Sequence, residues 1–271
     1  MKAVVLARGL GRRMRAPDAT ARLDRAQEQA ADHGAKALMP IAGRPLVSHL
    51  LDSLRESGVD AVGLVVRPED RGIADVPLHS TLTITAVLQP EPRGTADAVL
   101  AAEAWAGRDP FLVVNGDNLY PRSALANLVS LGGPGLAVFS VEALVGPGGM
   151  SRERVGAFAA VAVDARGRLL RIVEKPGANA DSATVEGAGA GRLAGISMNC
   201  WRFDSRIFDA CRAIAPSSRG ELELPSAVMC AIAQGVTFQA VAARGPALDV
   251  SQRSDVGVVE RILRDTPEVL A

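Results

Sequence analysis

Residues Val4 to Met14 read Val-Val-Leu-Ala-Arg-Gly-Leu-Gly-Arg-Arg-Met, a short apolar run followed by a glycine-rich turn. Such a run is typical of a buried strand, and a glycine-rich turn behind a parallel strand exposes backbone N–H groups that can bind a phosphate. The dinucleotide-binding pattern G-x-G-x-x-G is excluded because its last position is Met14, and the P-loop ending G-K-S/T is absent. The stretch therefore predicts a first strand whose turn either binds phosphate or is an ordinary strand–helix connection.

Strand and helix patterns alternate along the chain. Apolar runs predict strands, and apolar residues at helical spacing predict helices. In the first half, the predicted strands are 4–7, 62–66, 82–88, 111–114 and 136–141, and the predicted helices are 45–55 and 95–105, the latter with Thr95 as its N-cap. After residue 150 the pattern predicts a hairpin of strands 157–163 and 169–173, a strand at 195–203, helices near 205–214 and 221–234, a strand at 236–242 and a helix at 253–265. This order predicts an α/β fold with a mostly parallel sheet that helices cover on both faces.

The composition excludes several classes of function. The chain has 271 residues with 30 Lys+Arg against 30 Asp+Glu, so its net charge is zero, and we expect no binding to nucleic acid, which needs a basic surface. No apolar run reaches the ~18 residues of a membrane span, and the run before Arg8 is too short for a signal peptide, so we expect no membrane contact. The three cysteines, Cys200, Cys211 and Cys230, lack metal-type spacing and indicate reduced thiols in a cytoplasmic protein.

Lysine is rare in this chain: its three lysines are Lys2, Lys36 and Lys175, and arginine supplies the other basic side chains. Lysine is a compact point charge that fits beside a single phosphate oxygen, so the two interior lysines are candidate phosphate ligands. Both lie in short motifs that follow the glycine-rich turn. In chain order these motifs are Lys36–Leu46 (KALMPIAGRPL), Gln89–Ala98 (QPEPRGTADA), Asn115–Asn118 (NGDN), Glu174–Pro176 (EKP), Arg219–Glu223 (RGELE) and Leu248–Ser251 (LDVS).

In this order the motifs resemble those of the sugar-1-phosphate nucleotidyltransferases, and they extend over nearly the whole chain. The resemblance implies a nucleotide-diphospho-sugar transferase fold, which is a Rossmann-like, mixed and mostly parallel sheet flanked by helices. It implies a single domain, 1–271, with an NTP-binding half at 1–150 and a sugar-phosphate-binding half at 151–271. Since the sequence has no hexapeptide repeat, it resembles the short, single-domain nucleoside-diphosphate-sugar pyrophosphorylases of the family. The implied partners are an NTP and a sugar 1-phosphate, which would give an NDP-sugar and pyrophosphate.

The resemblance also implies a role for each motif. Arg13 and Lys36 are the implied catalytic residues, which hold the triphosphate and the developing pyrophosphate. Asp117 and Asp249 are the implied ligands of a Mg²⁺ cofactor, a hard cation that prefers carboxylate and phosphate oxygens. The implied nucleotide-binding residues are Leu6, Ala7, Gly9, Gly11, Gln89, Gly94 and Thr95, with Gln89 and the Gly94 backbone at the edge of the base. The implied sugar-phosphate ligands are Glu174, Lys175 and Asn199.

Two other functions are compatible with the same residues. One is a non-catalytic protein that binds sugar nucleotides and regulates a partner, and the other is a nucleotidyltransferase that acts on a non-sugar phosphate. The base is also open among UTP, dTTP and GTP, because the Gln89 amide can pair with a pyrimidine or a purine edge depending on its orientation. The sequence leaves open whether the chain forms a homo-oligomer.

The segment 16–34 lies between two predicted phosphate-binding elements. It is charged and alanine-rich, and Gly34 follows its last residues, which predicts a short exposed helix. Because the segment has few large apolar residues, we expect it to move in the free protein and to fold over the triphosphate when NTP binds. A fixed surface helix is the alternative.

Overall fold

The structure, a computed structural model, describes residues 1–75, 81–173 and 191–270 of the chain. Its strands are β1 (Lys2–Leu6), β2 (Pro40–Ile41), β3 (Arg44–Pro45), β4 (Ala61–Val66), β5 (Thr83–Leu88), β6 (Phe111–Asn115), β7 (Asn118–Leu119), β8 (Gly135–Phe139), β9 (Ala159–Val163), β10 (Leu169–Val173), β11 (Arg192–Phe203), β12 (Gln239–Ala242) and β13 (Leu248–Asp249). Its helices are α1 (Arg12–Arg15), α2 (Arg25–His33), α3 (Leu46–Glu56), α4 (Thr95–Ala101), α5 (Glu103–Ala106), α6 (Arg122–Val129), α7 (Val141–Val145), α8 (Arg152–Val155), α9 (Arg206–Ala213), α10 (Leu224–Ala233) and α11 (Arg253–Asp265). Short 3₁₀ helices lie at Lys36–Leu38, Pro68–Asp75 and Pro267–Leu270. Within these three described ranges, no helix has the length and apolar character needed to cross a membrane.

Nine of the described strands form one sheet, and β1 lies near its centre. The main order is β10-β9-β11-β6-β1-β4-β5, and β8 joins it by pairing with β11 and with β12. β1 runs parallel to β4 on one side and to β6 on the other, and β5 runs parallel to β4. After β1 the chain therefore builds the sheet on the β4 side of β1, and it later adds β6 on the opposite side of β1. The carboxyl ends of β1 and β6 meet at this change of direction, which is where open α/β sheets bind their ligands.

The long strand β11 joins the second half of the chain to this sheet. Its first part pairs antiparallel with β9, its last residues pair antiparallel with β6, and β8 pairs antiparallel with it as well. The register shifts between Ser197 and Trp201, and Asn199 within this bulge has a φ of 54°. β9 and β10 form the antiparallel hairpin that the sequence predicts. Strands from both halves of the chain thus belong to one sheet.

Both faces of the sheet are buried, as the alternation along β1 shows. Val5 belongs to a core on one face, with α3 and α6, whereas Val4 belongs to a core on the other face, with α4, α9 and α10. Neighbouring residues of a strand point to opposite faces, so a strand that is buried on both sides reads as a continuous apolar run. The second core includes a stacked pair, Phe111 and Phe208, whose ring centroids are 5.4 Å apart. The predicted α/β fold, a mixed and mostly parallel sheet flanked by helices, is confirmed.

The helix predicted over 95–105 differs from the structure in two ways. It is divided at Ala102 into α4 and α5. The prediction that Thr95 is the N-cap is wrong, because Gly94 holds that position and the Thr95 hydroxyl accepts a hydrogen bond of 2.9 Å from the Leu224 N–H. Leu224 is the first residue of α10, and the first N–H groups of a helix have no partner within it. Thr95 therefore satisfies a donor of a different helix and joins α4 to α10.

Candidate active site

A cavity of about 370 Å³ opens at the carboxyl ends of β1 and β6. Most of the residues that the sequence assigns to the site line this cavity, namely Leu6, Gly9, Gly11, Arg13, Lys36, Gln89, Gly94, Thr95, Asp117 and Asn199. Ala7 lines a smaller recess that shares Gly9 and Lys36 with the main cavity. Glu174 and Lys175 lie outside the described residues. Motifs that are distant in sequence are thus brought to one edge of the sheet.

The glycine-rich turn is held against the segment that carries Lys36. Gly11 has a left-handed φ of 61° and precedes α1. A Cβ atom on Gly11 would lie 2.6 Å from the Cα and the oxygen of Gly34, so the two glycines are in backbone contact. Glycine is required at position 11 both by this contact and by its φ. The contact brings Lys36, which follows Gly34 closely in sequence, beside the turn.

Lys36 forms an ion pair with Asp117, in which Nζ lies 2.8 Å from Oδ2. Both side chains are largely buried, with exposed fractions of 16% and 23%. Asp117 follows β6, and the Gly116 N–H donates to the Leu6 carbonyl at 2.9 Å, which fixes the end of β6 beside the end of β1. A cation and a carboxylate therefore lie together at the strand ends, next to the glycine-rich turn.

Asp249 lies beside Asp117, and Asn118 joins the two carboxylates. β13 ends at Asp249 and pairs antiparallel with β7, so that Asp249 is opposite Asn118. With its amide nitrogen turned toward the carboxylates, Asn118 donates to Asp117 Oδ1 at 3.0 Å and to Asp249 Oδ1 at 3.1 Å. Two carboxylate oxygens from distant parts of the chain thus converge on one amide group.

Arg154 on α8 neutralises Asp249. It donates to Asp249 Oδ2 and to both oxygens of Asp255. Asp249 is buried, with 6% of its surface exposed. Burial, and then the nearby charge of Asp117, raise the pKa of Asp249 above its usual range, and the positive charge of Arg154 opposes that rise. The acidic pair therefore carries two counterions, Lys36 on Asp117 and Arg154 on Asp249.

The chemistry of these donors fits Mg²⁺. Asp117 and Asp249 provide hard carboxylate oxygens, and Mg²⁺ is usually held by one or two carboxylates together with substrate phosphates. Within the described part of the chain, no cluster of three or more His, Cys, Asp or Glu side chains could hold a metal ion by itself. A metal bound at this pair would therefore complete its coordination with substrate oxygens or water.

Arg13 is connected to the same network through Ser251. Its Nη2 donates to Ser251 Oγ at 3.2 Å, and Ser251 Oγ donates to Asp249 Oδ1 at 3.1 Å. Arg13 is exposed, lies on α1 directly after the glycine-rich turn, and borders the cavity. Its guanidinium group is therefore placed to attract a polyanion at the turn.

Gln89 forms another wall of the cavity. It is 3% exposed, and its Nε2 donates to the Gly94 carbonyl at 3.1 Å and to Asp97 Oδ2 at 2.8 Å. Arg8 holds the same loop, because its guanidinium group donates to the carbonyls of Gln89 and Pro90 at 3.2 and 3.1 Å. The position of the Gln89 side chain and the orientation of its amide are therefore both fixed.

Asn199 lines the cavity from the bulge of β11. Its Oδ1 accepts a hydrogen bond of 3.3 Å from the Trp201 indole, and its backbone N–H donates to Ser197 Oγ at 3.4 Å. Asparagine is enriched among the non-glycine residues that adopt a positive φ, and Asn199 does so here. The residue therefore stabilises the bulge while it lines the cavity.

The segment that was expected to act as a lid contains the predicted exposed helix, α2, and this helix is attached to the rest of the protein. Asp24 and Gln27 form a reciprocal capping box at its start. Gln27 also donates to Glu260 Oε1 at 3.0 Å, and Asp32 forms an ion pair with Arg253. Both partners lie on α11. These attachments favour the fixed surface helix over the mobile lid.

Sequence patterns single out neither Asp255 nor Arg154, although both belong to the network around Asp249. Asp255 accepts hydrogen bonds from the backbone N–H groups of Ser251 and Gln252, each at 2.8 Å. Its place in the first turn of a predicted helix is a usable signal, since carboxylates there satisfy free N–H groups. Arg154 has no such signal, because its contact with Asp249 joins residues 95 positions apart.

Comparisons with known proteins identify the family to which the chain belongs. The family model for nucleotidyl transferases matches residues 31–270. Low-salt glycan biosynthesis nucleotidyltransferase Agl11 of Haloferax volcanii is 26% identical over 264 residues, which cover 94% of this chain and 64% of that protein. Glucose-1-phosphate thymidylyltransferase of Streptomyces antibioticus is 29% identical over 273 residues, which cover 98% of this chain and 67% of that protein. The chain thus spans about two thirds of the length of both relatives.

Solved structures show the same fold. A UDP-glucose pyrophosphorylase complexed with UDP-glucose has a TM-score of 0.74 to this chain, covers 97% of this chain and 98% of its own, and is 17% identical in sequence. The family match extends over most of the motifs from which the resemblance was drawn. The chain therefore belongs to the nucleotidyl transferase family.

Proposed function

We propose that this protein transfers a nucleotidyl group from an NTP to a sugar 1-phosphate and releases pyrophosphate. The observation that carries the proposal is the convergence of four features in one cavity: the glycine-rich turn, the Lys36–Asp117 ion pair, Arg13 and the Gln89 wall. The relatives support it, since one is a glucose-1-phosphate thymidylyltransferase and another is a glycan biosynthesis nucleotidyltransferase. The reaction consumes NTP, which together with the free cysteines of the chain is consistent with a cytoplasmic enzyme.

The chemistry needs charge stabilisation and positioning more than it needs a base. A phosphate oxygen of the sugar 1-phosphate would attack the α-phosphorus in line, the bond to the β-phosphate oxygen would break, and pyrophosphate would leave. The attacking phosphate is already anionic, so the main barrier is the repulsion between two polyanions. Arg13 borders the turn with its charge exposed, and Lys36 lies at the strand ends. We assign these two cations to the triphosphate and to the charge that develops on pyrophosphate.

We further propose that Asp117 and Asp249 hold Mg²⁺, which when bound would neutralise charge on the phosphates. The convergence of their Oδ1 atoms on Asn118 supports the assignment. Lys36 and Arg154 balance the two carboxylates in the structure, so they stabilise an acidic pair that would otherwise repel itself. With Mg²⁺ held by Asp117 and Asp249, Lys36 would no longer be needed as the counterion of Asp117 and could pair with phosphate oxygens.

The second substrate is assigned to the part of the site formed by the second half of the chain. Asn199 lines the cavity from β11, and β11 pairs directly with β6, which leads to Asp117. We propose that Asn199, Glu174 and Lys175 bind the sugar 1-phosphate; the last two lie outside the described residues. A lysine suits this role because it is a compact charge that fits beside a phosphate.

The test is pyrophosphate release from a panel of NTPs combined with a panel of sugar 1-phosphates, with Mg²⁺ and with EDTA. We expect release that requires both substrates and Mg²⁺, and a kcat that falls by about 100-fold or more in Asp117→Asn, because an anionic ligand is lost. The matched control is Asp109→Asn, since Asp109 is an exposed carboxylate that pairs with Lys2 at 3.0 Å and does not line the cavity.

Three outcomes would contradict the proposal. Tight NDP-sugar binding without turnover for any pair would favour a regulatory binding protein. Pyrophosphate release with a non-sugar phosphate, and with none of the sugar 1-phosphates, would place the enzyme in a different substrate class. Equal activity with EDTA, or near-native kcat in Asp117→Asn, would remove the metal assignment.

A further inference from the structure

Helix α1, which carries Arg13, is a single turn long. Its backbone hydrogen bonds run from the Arg15 N–H to the Gly11 carbonyl at 2.9 Å and from the Ala16 N–H to the Arg12 carbonyl at 3.2 Å. A helix this short is not stable by itself, because fixing the backbone of one turn costs more entropy than its few hydrogen bonds offset. The position of Arg13 is therefore set by contacts between α1 and the rest of the protein.

Arg253, the first residue of α11, holds the carboxyl end of α1. Its Nε–H is shared between the carbonyl oxygens of Met14 and Ala16, at 3.0 and 3.1 Å. Carbonyl groups at the end of a helix have no partner within it, so these two need an outside donor. The other arm of the guanidinium group, Nη2, forms the ion pair with Asp32 on α2. One side chain therefore joins α1, α2 and α11.

The side chain of Arg13 is held by the same segment of the second half of the chain. Ser251, two residues before Arg253, accepts the hydrogen bond of 3.2 Å from Arg13 Nη2. Met14, which follows Arg13 in sequence, is fully buried, so the backbone of α1 is also fixed on the side that faces the core. Arg253 thus holds the backbone next to Arg13, and Ser251 holds its guanidinium group.

Arg253 itself is not placed to touch a ligand in the cavity. Its side chain is 14% exposed, and it is absent from the described residues that line the cavity. Its charge could attract a polyanion only from a distance, and the paired carboxylate of Asp32 opposes that attraction. An effect of Arg253 on phosphate binding is therefore expected to pass through α1.

We propose that Arg253 is a positioning residue that sets Arg13 for the triphosphate, by holding the carboxyl end of α1 from the second half of the chain. This inference rests on the proposed function, which assigns Arg13 to the triphosphate. The rival explanations are a role in stability alone and a long-range attraction between the charge of Arg253 and the phosphates. Both rivals act whether or not Arg13 is present, and this separates them from the proposal.

The test is a double-mutant cycle of Arg13→Ala and Arg253→Met, in which methionine keeps an unbranched stem but no donor. Calorimetric titration with inorganic tripolyphosphate and Mg²⁺ measures the affinity for three linked phosphates without a base or a sugar. We expect Arg253→Met to raise the Kd about fivefold when Arg13 is present and less than about twofold in Arg13→Ala, because no guanidinium group is left to position. The matched control is Arg264→Met, which changes an exposed arginine of α11 and should leave the Kd unchanged.

Two results would overturn the proposal. Equal increases in Kd with and without Arg13 would show that Arg253 acts through stability or long-range charge, and no increase in either background would show that it does not act on phosphate binding. If far-UV circular dichroism shows that Arg253→Met does not fold, the same cycle with Arg253→Lys decides by the same criteria. Lysine keeps the charge but loses the planar fork that reaches α1 and Asp32 together.

Steady-state kinetics separate this inference from the proposed function. During turnover, Arg253→Met should raise the KM for NTP and leave the KM for the sugar 1-phosphate as in the native protein. If no NTP releases pyrophosphate with any sugar 1-phosphate and Arg253→Met still weakens tripolyphosphate binding only when Arg13 is present, the proposed function fails while the role of Arg253 stands. Pyrophosphate release as proposed, together with equal effects of Arg253→Met in both backgrounds, would reject the role of Arg253 and leave the function intact.

Discussion

Gly94 is the residue at which the loop that follows Gln89 meets the second half of the chain. A Cβ atom added to it would lie 2.3 Å from the oxygen and 2.7 Å from the nitrogen of Leu222. These are backbone atoms of a segment that is itself hydrogen-bonded to the loop, so they cannot move as the end of a flexible side chain would. The resemblance implies a Gly94 backbone at the edge of the base, but the protein's own packing already requires glycine at this position. A φ of 115° adds a second reason, because side chains are strained there.

Gly94→Ala should therefore destabilise the protein even without any ligand. We expect the free energy of unfolding to fall by about 2–4 kcal/mol, from the steric clash and the backbone strain together. Urea unfolding monitored by far-UV circular dichroism measures it. Gly132→Ala is the matched control, because no atom lies within 4 Å of its added Cβ, and it should change stability by less than about 0.5 kcal/mol. Equal stability of the two variants would show that the Leu222 segment can shift away.

Motifs predicted many of the residues that line the cavity, but they did not predict the partners of those residues. Lys36 and Asp117 lie in motifs that place them at a phosphate site, and the structure brings them within 2.8 Å of each other. The pairing of Arg154 with Asp249 depends on how α8 packs against β13, and no local pattern records such a contact between distant segments. Sequence patterns reveal the chemistry of side chains and the spacing of apolar residues that distinguishes strands from helices. The balance of charge in a site is set by the tertiary fold.

Helix α2 shows how an element that looks detachable from its sequence can be fixed by polar contacts. Its sequence offers few large apolar residues, which suggested a mobile lid. Glu260 on α11 accepts hydrogen bonds from Gln27 Nε2 and from the Ala42 N–H, both at 3.0 Å, so one carboxylate ties α2 and the turn between β2 and β3 to α11. The lid hypothesis rested on the position of the segment between two predicted phosphate-binding elements and on its few large apolar residues, and neither reveals these polar contacts.

Glu260→Ala should therefore release α2. We expect trypsin to cleave after Arg25, the first residue of the helix, about tenfold faster in this variant, because hydrogen bonds to a charged group are lost. Gln29→Ala changes an exposed residue of the same helix and should leave the rate unchanged. In the native protein the rate should be the same with and without NTP and Mg²⁺. Strong protection of Arg25 by NTP would restore the lid hypothesis.

Helix α3 carries His49, which predicts a pH dependence of stability. Burial lowers the pKa of His49 below its usual value, although its Nε2 donates to the Ile41 carbonyl at 2.9 Å in the neutral form. The unfolded chain therefore binds more protons than the folded protein near and below about pH 6.5, the ordinary pKa of histidine. The contribution of His49 to stability is complete above that pH and is lost as the pH falls below it.

His49→Gln should reduce this loss, because glutamine can keep the donor but does not titrate. We expect the decrease in the free energy of unfolding between pH 7.5 and pH 5.5 to be smaller in His49→Gln than in the native protein. His33→Gln replaces an exposed histidine on α2 and serves as the control, with a pH profile like that of the native protein. Parallel profiles for the native protein and His49→Gln would show that burial of His49 does not matter to folding.

At the scale of the whole molecule, β11 and α11 make the two halves depend on each other. β11 contributes to the same sheet as β6 and β8, and α11 packs against α1 and β2 near the glycine-rich turn. The alternation of strand and helix signals was enough to predict the fold class and the covering of both faces. It could not predict that β11 would lie beside β6, because strand order depends on contacts between segments far apart in sequence. The candidate active site draws on both halves, since Asp249 is joined to Asp117 through Asn118 and Ser251 accepts a hydrogen bond from Arg13.

We therefore expect the described parts of the chain to unfold in one cooperative transition. The two tryptophans allow a direct test, because Trp105 lies on α5 in the first half and Trp201 lies on β11 in the second. In Trp201→Phe the fluorescence reports only Trp105, and in Trp105→Phe it reports only Trp201. Within each variant, the urea midpoint from fluorescence should equal the midpoint from far-UV circular dichroism, as a single transition requires. The absolute stability of Trp201→Phe will be lower, because the indole is fully buried, but the coincidence of its two midpoints should persist. A Trp105 transition at a different urea concentration from the loss of secondary structure would mean that the first half of the chain unfolds independently of the strands that the second half adds to the sheet.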